Sequence, residues 1–207
     1  AKEAFRRLGY RPKFENIVWE DKDELLADGT VDCLWSSYSM NGREDKYQWA
    51  GPYLYSRQMV VVKNESEIQT LSDLKGKRIA VQATTKAEDL FLHNIKSDLP
   101  QMQQVNCFST TNEIYAALRK SYVDAIAGHE AMLGSLVKEG KDAYRMLDES
   151  IYKSELGVAF KKGTHEEVAA DLTETLKKLQ REGITEKIVT KYGLDADEIL
   201  PEGEQNE

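Results

Sequence analysis

The sequence predicts an α/β fold built as two lobes, and two patterns support this prediction. Short apolar stretches alternate along the chain with segments whose apolar residues recur at helical spacing, which is typical of largely parallel sheets covered by helices. A similar element also occurs twice, as DGTVDCLW at residues 28–35 and as KSYVDAIAG at residues 120–128. The chain has 207 residues, enough for one large domain or two small ones. We therefore expect two lobes of similar design.

The individual elements follow from the hydrophobic period and from the start and stop signals of helices. Apolar or alternating stretches predict strands at residues 13–19, 31–35, 57–63, 78–82, 104–109, 123–128, 144–148 and 156–163. Helical spacing predicts helices at residues 1–8, 21–29, 86–95, 111–122, 129–140, 166–183 and 184–193. We expect the acidic tail at residues 195–207 to be frayed or to begin a linker.

The two lobes are expected to be discontinuous in sequence. RQMVVVK at residues 57–63 leaves the first lobe, and LGVAFKKG at residues 156–163 returns to it. This connection predicts lobe 1 from residues 1–62 plus 157–207 and lobe 2 from residues 63–156, joined by a hinge of two strands.

Composition and charge exclude some functions. The formal net charge of −8 argues against a nucleic-acid partner, which requires a basic face. The sequence contains no apolar run of about 20 residues that would cross a bilayer. We interpret Cys33 and Cys107 as small buried hydrophobic residues in different lobes, although a disulfide between them stays possible. So few cysteines are compatible with the cytoplasm and with bacterial extracytoplasmic compartments.

Three loops follow predicted strands at the carboxyl ends where open α/β sheets bind ligands. They are SSYSMNGRE after residues 31–35, QATTKAED after residues 78–82 and GHEAM after residues 123–127. Arg43 in the first loop is the strongest single candidate for a ligand-binding residue, because a planar guanidinium can bind a carboxylate through two hydrogen bonds. A surface ion pair with Glu44 or Asp45 is the alternative.

The other two loops carry weaker signals. Thr84 and Thr85 precede a predicted helix whose free N–H groups would favour an anion, and a plain N-cap is the alternative. His129 and Glu130 form an adjacent pair without the further ligands that a metal site needs, so we expect neither a metal nor a cofactor. No spacing suggests a nucleophile with its base. Tyr38 and two tryptophans could stack on a ligand or belong to the core.

These motifs together resemble the family 3 extracellular solute-binding proteins, the polar amino-acid-binding class of periplasmic-type receptors. In that family, VD-A is followed by a serine-containing loop, then by the pattern E-R-x-K and by PY. This chain has VDCLWSSYSMNGREDKYQWAGPY at residues 31–53, with one residue fewer before the arginine. Its second lobe opens with DLKGK and VQ-x-G-T-T, where DLKGKRIAVQATT stands at residues 73–85. LQREGITEKIVTKYG at residues 179–193 matches the family's closing pattern.

The resemblance implies a periplasmic binding protein type II-like fold that closes over a small polar ligand. It implies that Arg43 clamps the ligand's carboxylate. The remaining ligand contacts that it implies or allows are Ser37, Tyr38, Ser39, Gln82, Thr84, Thr85, Lys86, His129 and Glu130. The expected function is therefore an extracytoplasmic solute-binding module, at the periplasm or cell surface and tethered to the membrane, that serves the permease of an ABC importer.

Two departures from the family pattern are visible. The family's third loop usually places an aspartate on the ligand's ammonium, but here His129 stands in that position, so either Glu130 substitutes or the ligand is not a standard α-amino acid. Ala1 falls inside what would be the first helix, so we expect lobe 1 to lack its first strand and to expose a sheet edge through which it self-associates.

Other functions remain open on the sequence. The same architecture serves as the sensor domain of a membrane kinase or diguanylate cyclase, and a few proteins that share it dehydrate cyclic acids. Only His129 and Glu130 could act as acid and base in such a reaction, so we expect no enzymatic activity. A transcriptional regulator ranks last, because no helix-turn-helix or basic region is present.

Overall fold

The computed structural model describes residues 1–93, 98–140 and 142–201. The α-helices are α1 Lys2–Arg7, α2 Lys22–Ala27, α3 Lys86–Phe91, α4 Thr111–Arg119, α5 Glu130–Glu139, α6 Glu166–Arg181, α7 Ile184–Lys191 and α8 Ala196–Ile199. The strands are β1 Cys33–Ser39, β2 Tyr47–Lys63, β3 Arg78–Gln82, β4 Gln104–Phe108, β5 Ala125–His129, β6 Tyr144–Met146 and β7 Tyr152–Lys161. Short 3-10 helices cover Trp19–Asp21 and Leu71–Leu74. The α/β class predicted from the sequence is confirmed.

The chain divides into two compact units. Unit 1 consists of Ala1–Ile17, Asp21–Ser56 and Ser154–Glu207, and unit 2 consists of Val18–Glu20 and Arg57–Lys153. The two main crossings fall inside β2 and inside β7, a few residues before the positions expected from the sequence.

Unit 2 contains a sheet in which β3 lies between two parallel neighbours, β4 and β5. The other side of β5 pairs antiparallel with β2, and β6 pairs antiparallel with β2. Because β3 and β5 are parallel, their carboxyl ends meet at the same edge of the sheet. The loops that follow these two strands therefore lie side by side.

Both faces of this sheet are covered, which explains the unbroken apolar run MVVV at residues 59–62 of β2. Val60 and Val62 belong to a buried cluster that includes α3 residues, whereas Met59 and Val61 belong to a second cluster that includes residues of α4 and α5. Successive side chains of a strand point to opposite faces, so a strand buried on both faces is apolar at every position.

Unit 1 is built on the antiparallel pair of β1 and β7, in which Cys33 lies opposite Phe160 and Trp35 opposite Val158. Helix α6 covers this pair with one apolar face, and Ala169 and Leu172 are fully buried in the core. Glutamates begin α6 and basic residues end it, so the charges complement the helix dipole.

Two sequence predictions are wrong in detail. Residues 10–18 form neither helix nor strand, although residues 13–19 were expected to be a strand. Phe14 and Val18 are 58% and 56% exposed there, so the alternating pattern buries little apolar surface, and no strand of the described residues pairs with it. The expected long polar loop is also shorter, because β1 continues to Ser39 and β2 begins at Tyr47. Pairing of Ser39 with Leu156 of β7 keeps this end of β1 in the strand.

Smaller differences concern the cysteines and the tail. Cys33 is half-buried, but Cys107 is exposed, so its assignment to a buried position is wrong; both are free thiols. Helix α8 forms within the tail that was expected to be frayed, and residues 202–207 lie outside the described range. Among the helices of the described residues, none combines the length and apolarity needed to span a bilayer.

Candidate functional site

The loop between β1 and β2 holds Arg43 in unit 1. The backbone N–H of Arg43 donates to Met40 O at 2.9 Å, and its carbonyl accepts from Lys46 N at 3.0 Å. The indole N–H of Trp49 donates to the same carbonyl at 3.0 Å. Three hydrogen bonds thus fix the backbone of Arg43 within a loop of only a few residues.

The guanidinium of Arg43 is held close to β1. Its Nη1 lies 3.4 Å from the carbonyl oxygen of Ser39, and its Cζ lies 5.4 Å from the centroid of the Tyr38 ring. The second distance is within the range of a cation–π interaction. Glu44, the surface partner considered from the sequence, accepts a hydrogen bond from Gly42 N at 3.0 Å.

Tyr38 and the two serines of β1 occupy different environments. Tyr38 is 2% exposed and packs among other aromatic rings, so its hydroxyl and ring serve the interior of the unit. Ser39 is also buried, and its hydroxyl donates to Asn41 Oδ1 at 3.3 Å. The same oxygen accepts from Glu155 N at 2.7 Å, which ties the loop to β7. Ser37 is exposed.

The turn between β3 and α3 carries four further predicted site residues in unit 2. Gln82 Nε2 donates to Ser109 O at 3.2 Å, and Thr85 Oγ1 donates to Gln82 O at 2.7 Å. Thr84 adopts a left-handed conformation with φ of 58°, and its N–H donates to Glu88 Oε2 at 2.6 Å. A carboxylate of the chain itself therefore takes one of the N–H groups that the sequence assigned to an external anion.

Lys86 follows these threonines and is 6% exposed. Its ammonium lies 5.0 Å from the centroid of the Tyr152 ring. A buried ammonium needs compensation, and the face of a tyrosine ring supplies part of it.

The end of β5 brings His129 and Glu130 to the same edge of the unit 2 sheet. The Gln58 amide nitrogen lies 3.1 Å from both ring nitrogens of His129, so a ring nitrogen accepts from it when the imidazole is neutral. Arg57 donates to both carboxylate oxygens of Glu130, at 2.9 Å from Nε and 2.6 Å from Nη2. Both predicted residues are thus held by consecutive residues of β2.

The structure brings six predicted residues to one edge of unit 2 and four to the β1–β2 region of unit 1. The first group is Gln82, Thr84, Thr85, Lys86, His129 and Glu130, and the second is Ser37, Tyr38, Ser39 and Arg43. Within the described part of the chain, no group of three His, Cys, Asp or Glu side chains is arranged to hold a metal ion.

Sequence reasoning missed the residues that support these groups. Arg57 is one, and its signal was a cation directly before a run of buried residues within β2. Asp23 of α2 is another: it accepts from Lys46 Nζ at 2.7 Å and from the Tyr47 hydroxyl. Partial burial acts to raise the pKa of Asp23, but these two hydrogen bonds outweigh it and the pKa is lowered. Burial and the bond to Asp23 raise the pKa of Tyr47.

The chain is similar to amino-acid-binding proteins along most of its length. The L-cystine-binding protein TcyJ of Escherichia coli (strain K12) is 26% identical over 93% of this chain and 71% of its own. The glutamate-binding protein GluB of Corynebacterium efficiens is 25% identical over 88% of this chain and 63% of its own. The crystal structure of Tv2483 bound to L-arginine superposes with a TM-score of 0.81 at 26% identity, covering 92% of this chain and 77% of that chain.

The family match agrees with the motifs in the sequence. The family model of the bacterial extracellular solute-binding proteins, family 3, matches residues 1–195. These residues include the Arg43 loop, the DLKGK segment and the closing TKYG pattern, so the resemblance proposed from the sequence is confirmed. The chain belongs to family 3 of the bacterial extracellular solute-binding proteins.

Proposed function

We propose that this chain captures a small, polar, carboxylate-bearing solute and delivers it to the permease of an ABC importer. The observation that carries the proposal is the state of Arg43: its backbone is fixed by three hydrogen bonds and its guanidinium lies over the Tyr38 ring. A guanidinium presents a planar fork that matches the two oxygens of a carboxylate. Arg43 is thus the proposed carboxylate clamp.

The solute is proposed to be an amino acid or a close analogue. Three of the proteins compared above are named or described for cystine, glutamate and arginine, which all carry an α-carboxylate. Ser37, Ser39, Gln82, Thr84, Thr85, Lys86, His129 and Glu130 remain the proposed further contacts, with Tyr38 acting through Arg43.

The ligand's amino group is a separate question, because Glu130 already binds Arg57 in a bidentate pair. A ligand ammonium that uses Glu130 must compete with this guanidinium. Comparing L-glutamate with glutarate, which lacks the α-amino group, tests whether an ammonium contributes: tighter binding of L-glutamate indicates that it does.

A thermal-shift screen of the amino acids, L-cystine and small carboxylates tests the function. A solute at about 100 times its dissociation constant should add about 2.7 kcal/mol to the unfolding free energy. We expect Arg43→Ala to abolish the shift and Arg181→Ala, at an exposed position in the same unit, to retain it. A shift that survives Arg43→Ala would contradict the role of Arg43.

Location and assembly belong to the same proposal. The family is extracellular by description, and we propose that the chain works outside the cytoplasmic membrane, tethered to it.

Strand β1 stands at one end of the strand order of its sheet, so we also propose self-association through this edge. Light scattering of the purified chain tests it, since a monomer at all concentrations would contradict self-association. The alternative role, as the ligand-sensing domain of a membrane kinase or diguanylate cyclase, is less well supported, because the relatives named above are binding proteins.

We propose no enzymatic activity. The acid–base pair considered from the sequence is His129 with Glu130, and the latter is neutralised by Arg57 at 2.6 Å. Incubation with a cyclic carboxylic acid such as prephenate tests this, and measurable dehydration that Glu130→Gln abolishes would contradict it.

A further inference from the structure

We propose that Tyr38 is a positioning residue for Arg43, and that a hydrogen-bonded chain through Tyr47 to Asp23 fixes the Tyr38 ring. The effect of this positioning on ligand binding rests on the proposed function, since it requires that Arg43 binds a carboxylate. All the residues involved belong to unit 1.

The first step is the contact between the two side chains. Arg43 Cζ lies 5.4 Å from the centroid of a ring that is 2% exposed. A buried ring cannot swing away from the cation above it without breaking its own packing. The ring therefore acts as a fixed platform for the guanidinium.

The second step is what fixes the ring. The Tyr38 hydroxyl donates to the Tyr47 hydroxyl oxygen at 2.6 Å, and Tyr47 donates in turn to Asp23 Oδ1. Each hydroxyl has a single proton to donate, so this chain needs an acceptor at its end, and the Asp23 carboxylate supplies it. Lys46 Nζ donates to the other oxygen of Asp23 at 2.7 Å and holds that carboxylate in place.

The third step joins the ring platform to the backbone of the loop. Trp49 packs against Tyr38 and Tyr47, with ring centroids 5.4 and 5.3 Å apart. Its indole N–H donates to the Arg43 carbonyl at 3.0 Å. One aromatic cluster thus contacts both the side chain and the backbone of Arg43.

The consequence is preorganisation. An arginine side chain that is free to rotate loses that freedom when it binds, which weakens the complex. A guanidinium already held over a ring loses less. A cation–π contact at a partly exposed site corresponds to about a two- to fivefold change in an equilibrium constant, and we expect effects of that size.

Chemical labelling tests the positioning without any ligand. Phenylglyoxal reacts with guanidinium groups, and peptide mass spectrometry gives the rate at each arginine. We expect Tyr38→Leu to raise the rate at Arg43 about two- to fivefold, because one face of the guanidinium is uncovered. Tyr38→Phe keeps the ring but loses the hydrogen bond to Tyr47, so we expect a smaller rise, between the rates of the wild type and Tyr38→Leu.

Controls separate positioning from loss of structure. Tyr122→Leu removes a tyrosine that is 66% exposed in unit 2 and should leave the Arg43 rate unchanged. Rates at Arg181 should be unchanged in every variant. If Tyr38→Leu does not fold, Tyr38→Met removes the ring with an unbranched side chain that adapts to the space left. An Arg43 rate that does not rise when the ring is removed would overturn the proposal, and a Tyr38→Phe rate equal to that of the wild type would overturn the part assigned to the hydrogen-bonded chain.

Calorimetric titration with L-arginine, L-glutamate and L-cystine then tests the consequence. If one of them binds the wild type, Tyr38→Leu should weaken it about two- to fivefold and Tyr38→Phe less. An unchanged dissociation constant in Tyr38→Leu would overturn the functional consequence. If neither these three nor any solute of the thermal-shift screen binds the wild type, the proposed function fails, and the labelling still decides whether Tyr38 positions Arg43.

Discussion

Arg57 and Glu130 form a bidentate ion pair, with N–O distances of 2.9 and 2.6 Å, that joins β2 to the first residue of α5. The two residues are 73 positions apart in the sequence. The pair holds the start of α5 against the neighbouring strand and places a carboxylate at a helix N-terminus, where the helix dipole favours it.

The first prediction concerns the strength of this pair. Because both side chains are about two-thirds buried, we expect Glu130→Gln and Arg57→Met each to lower the unfolding free energy by about 1 kcal/mol. The double variant should cost less than the sum, by about 1 kcal/mol. Urea unfolding of the four proteins checks this, and additive costs would show that the pair contributes no coupling.

The second prediction concerns pH. Arg78 donates to Asp124 from its side chain and from its backbone N–H, at distances of 2.7 to 3.1 Å. The side-chain hydrogen bonds from Arg78 are the largest cause of the lowered pKa of Asp124. A carboxyl whose pKa is lower in the folded chain stabilises fully above its ordinary pKa of about 3.9, and that stability is lost as the pH falls towards the folded value.

We therefore expect Asp124→Asn to reduce stability at pH 7 by about 1 kcal/mol or less, since the pair is about one-third exposed. Between about pH 5 and pH 2 its unfolding free energy should fall less steeply than that of the wild type. Urea unfolding across this range measures both slopes. Asp148→Asn, at an exposed position, serves as the control, and equal slopes for Asp124→Asn and the wild type would contradict the assignment.

The third prediction concerns the core of unit 1. Leu172 of α6 is fully buried among residues of β7 and α1. Leu172→Ala should lower the unfolding free energy by about 2–5 kcal/mol, because it removes buried methyl groups and leaves a cavity. Ile188→Ala on α7, where the side chain is 47% exposed, should cost far less. Comparable losses for the two variants would show that α6 does not cover the sheet as described.

The fourth prediction concerns the start of α4. Thr110 Oγ1 accepts from Glu113 N at 3.3 Å, and Glu113 Oε2 accepts from Thr110 N at 2.9 Å, which is a capping box. Thr110→Ala should cost about 1 kcal/mol. Asn112→Ala changes an exposed residue within the same helix and should cost nothing or stabilise slightly. Thermal unfolding monitored by circular dichroism measures the stability of both variants, and equal costs would contradict the role of Thr110 as a cap.

Sequence reasoning succeeded where a pattern is local. The run at residues 59–62 is apolar at every position because this part of β2 is buried on both faces, and the helical spacing of Val168, Leu172 and Leu179 marks the face of α6 that packs on unit 1. The positions that match the family pattern, Arg43 above all, could be named from the sequence alone, and their role as ligand contacts stays a prediction.

The remainder depends on residues that are distant in sequence. Asp23 and Tyr47 are 24 positions apart, and no spacing rule joins an acid in a short helix to a tyrosine after a loop. At residues 13–19 the sequence predicted a strand that does not form, because an alternating pattern becomes a strand only when another strand pairs with it. Local patterns thus identify elements, and tertiary contacts decide their partners.

The central claim is that Arg43 binds the carboxylate of the captured solute, and titration with a matched pair of solutes tests it most directly. L-Arginine and L-argininamide differ only in the carboxylate, and L-glutamate and L-cystine extend the series. We expect at least one of the three amino acids to bind the wild type, with a loss of about 1.5–3 kcal/mol in Arg43→Ala and little change in Arg181→Ala. Binding that is equal for Arg43→Ala and the wild type, or for L-arginine and its amide, would contradict the account.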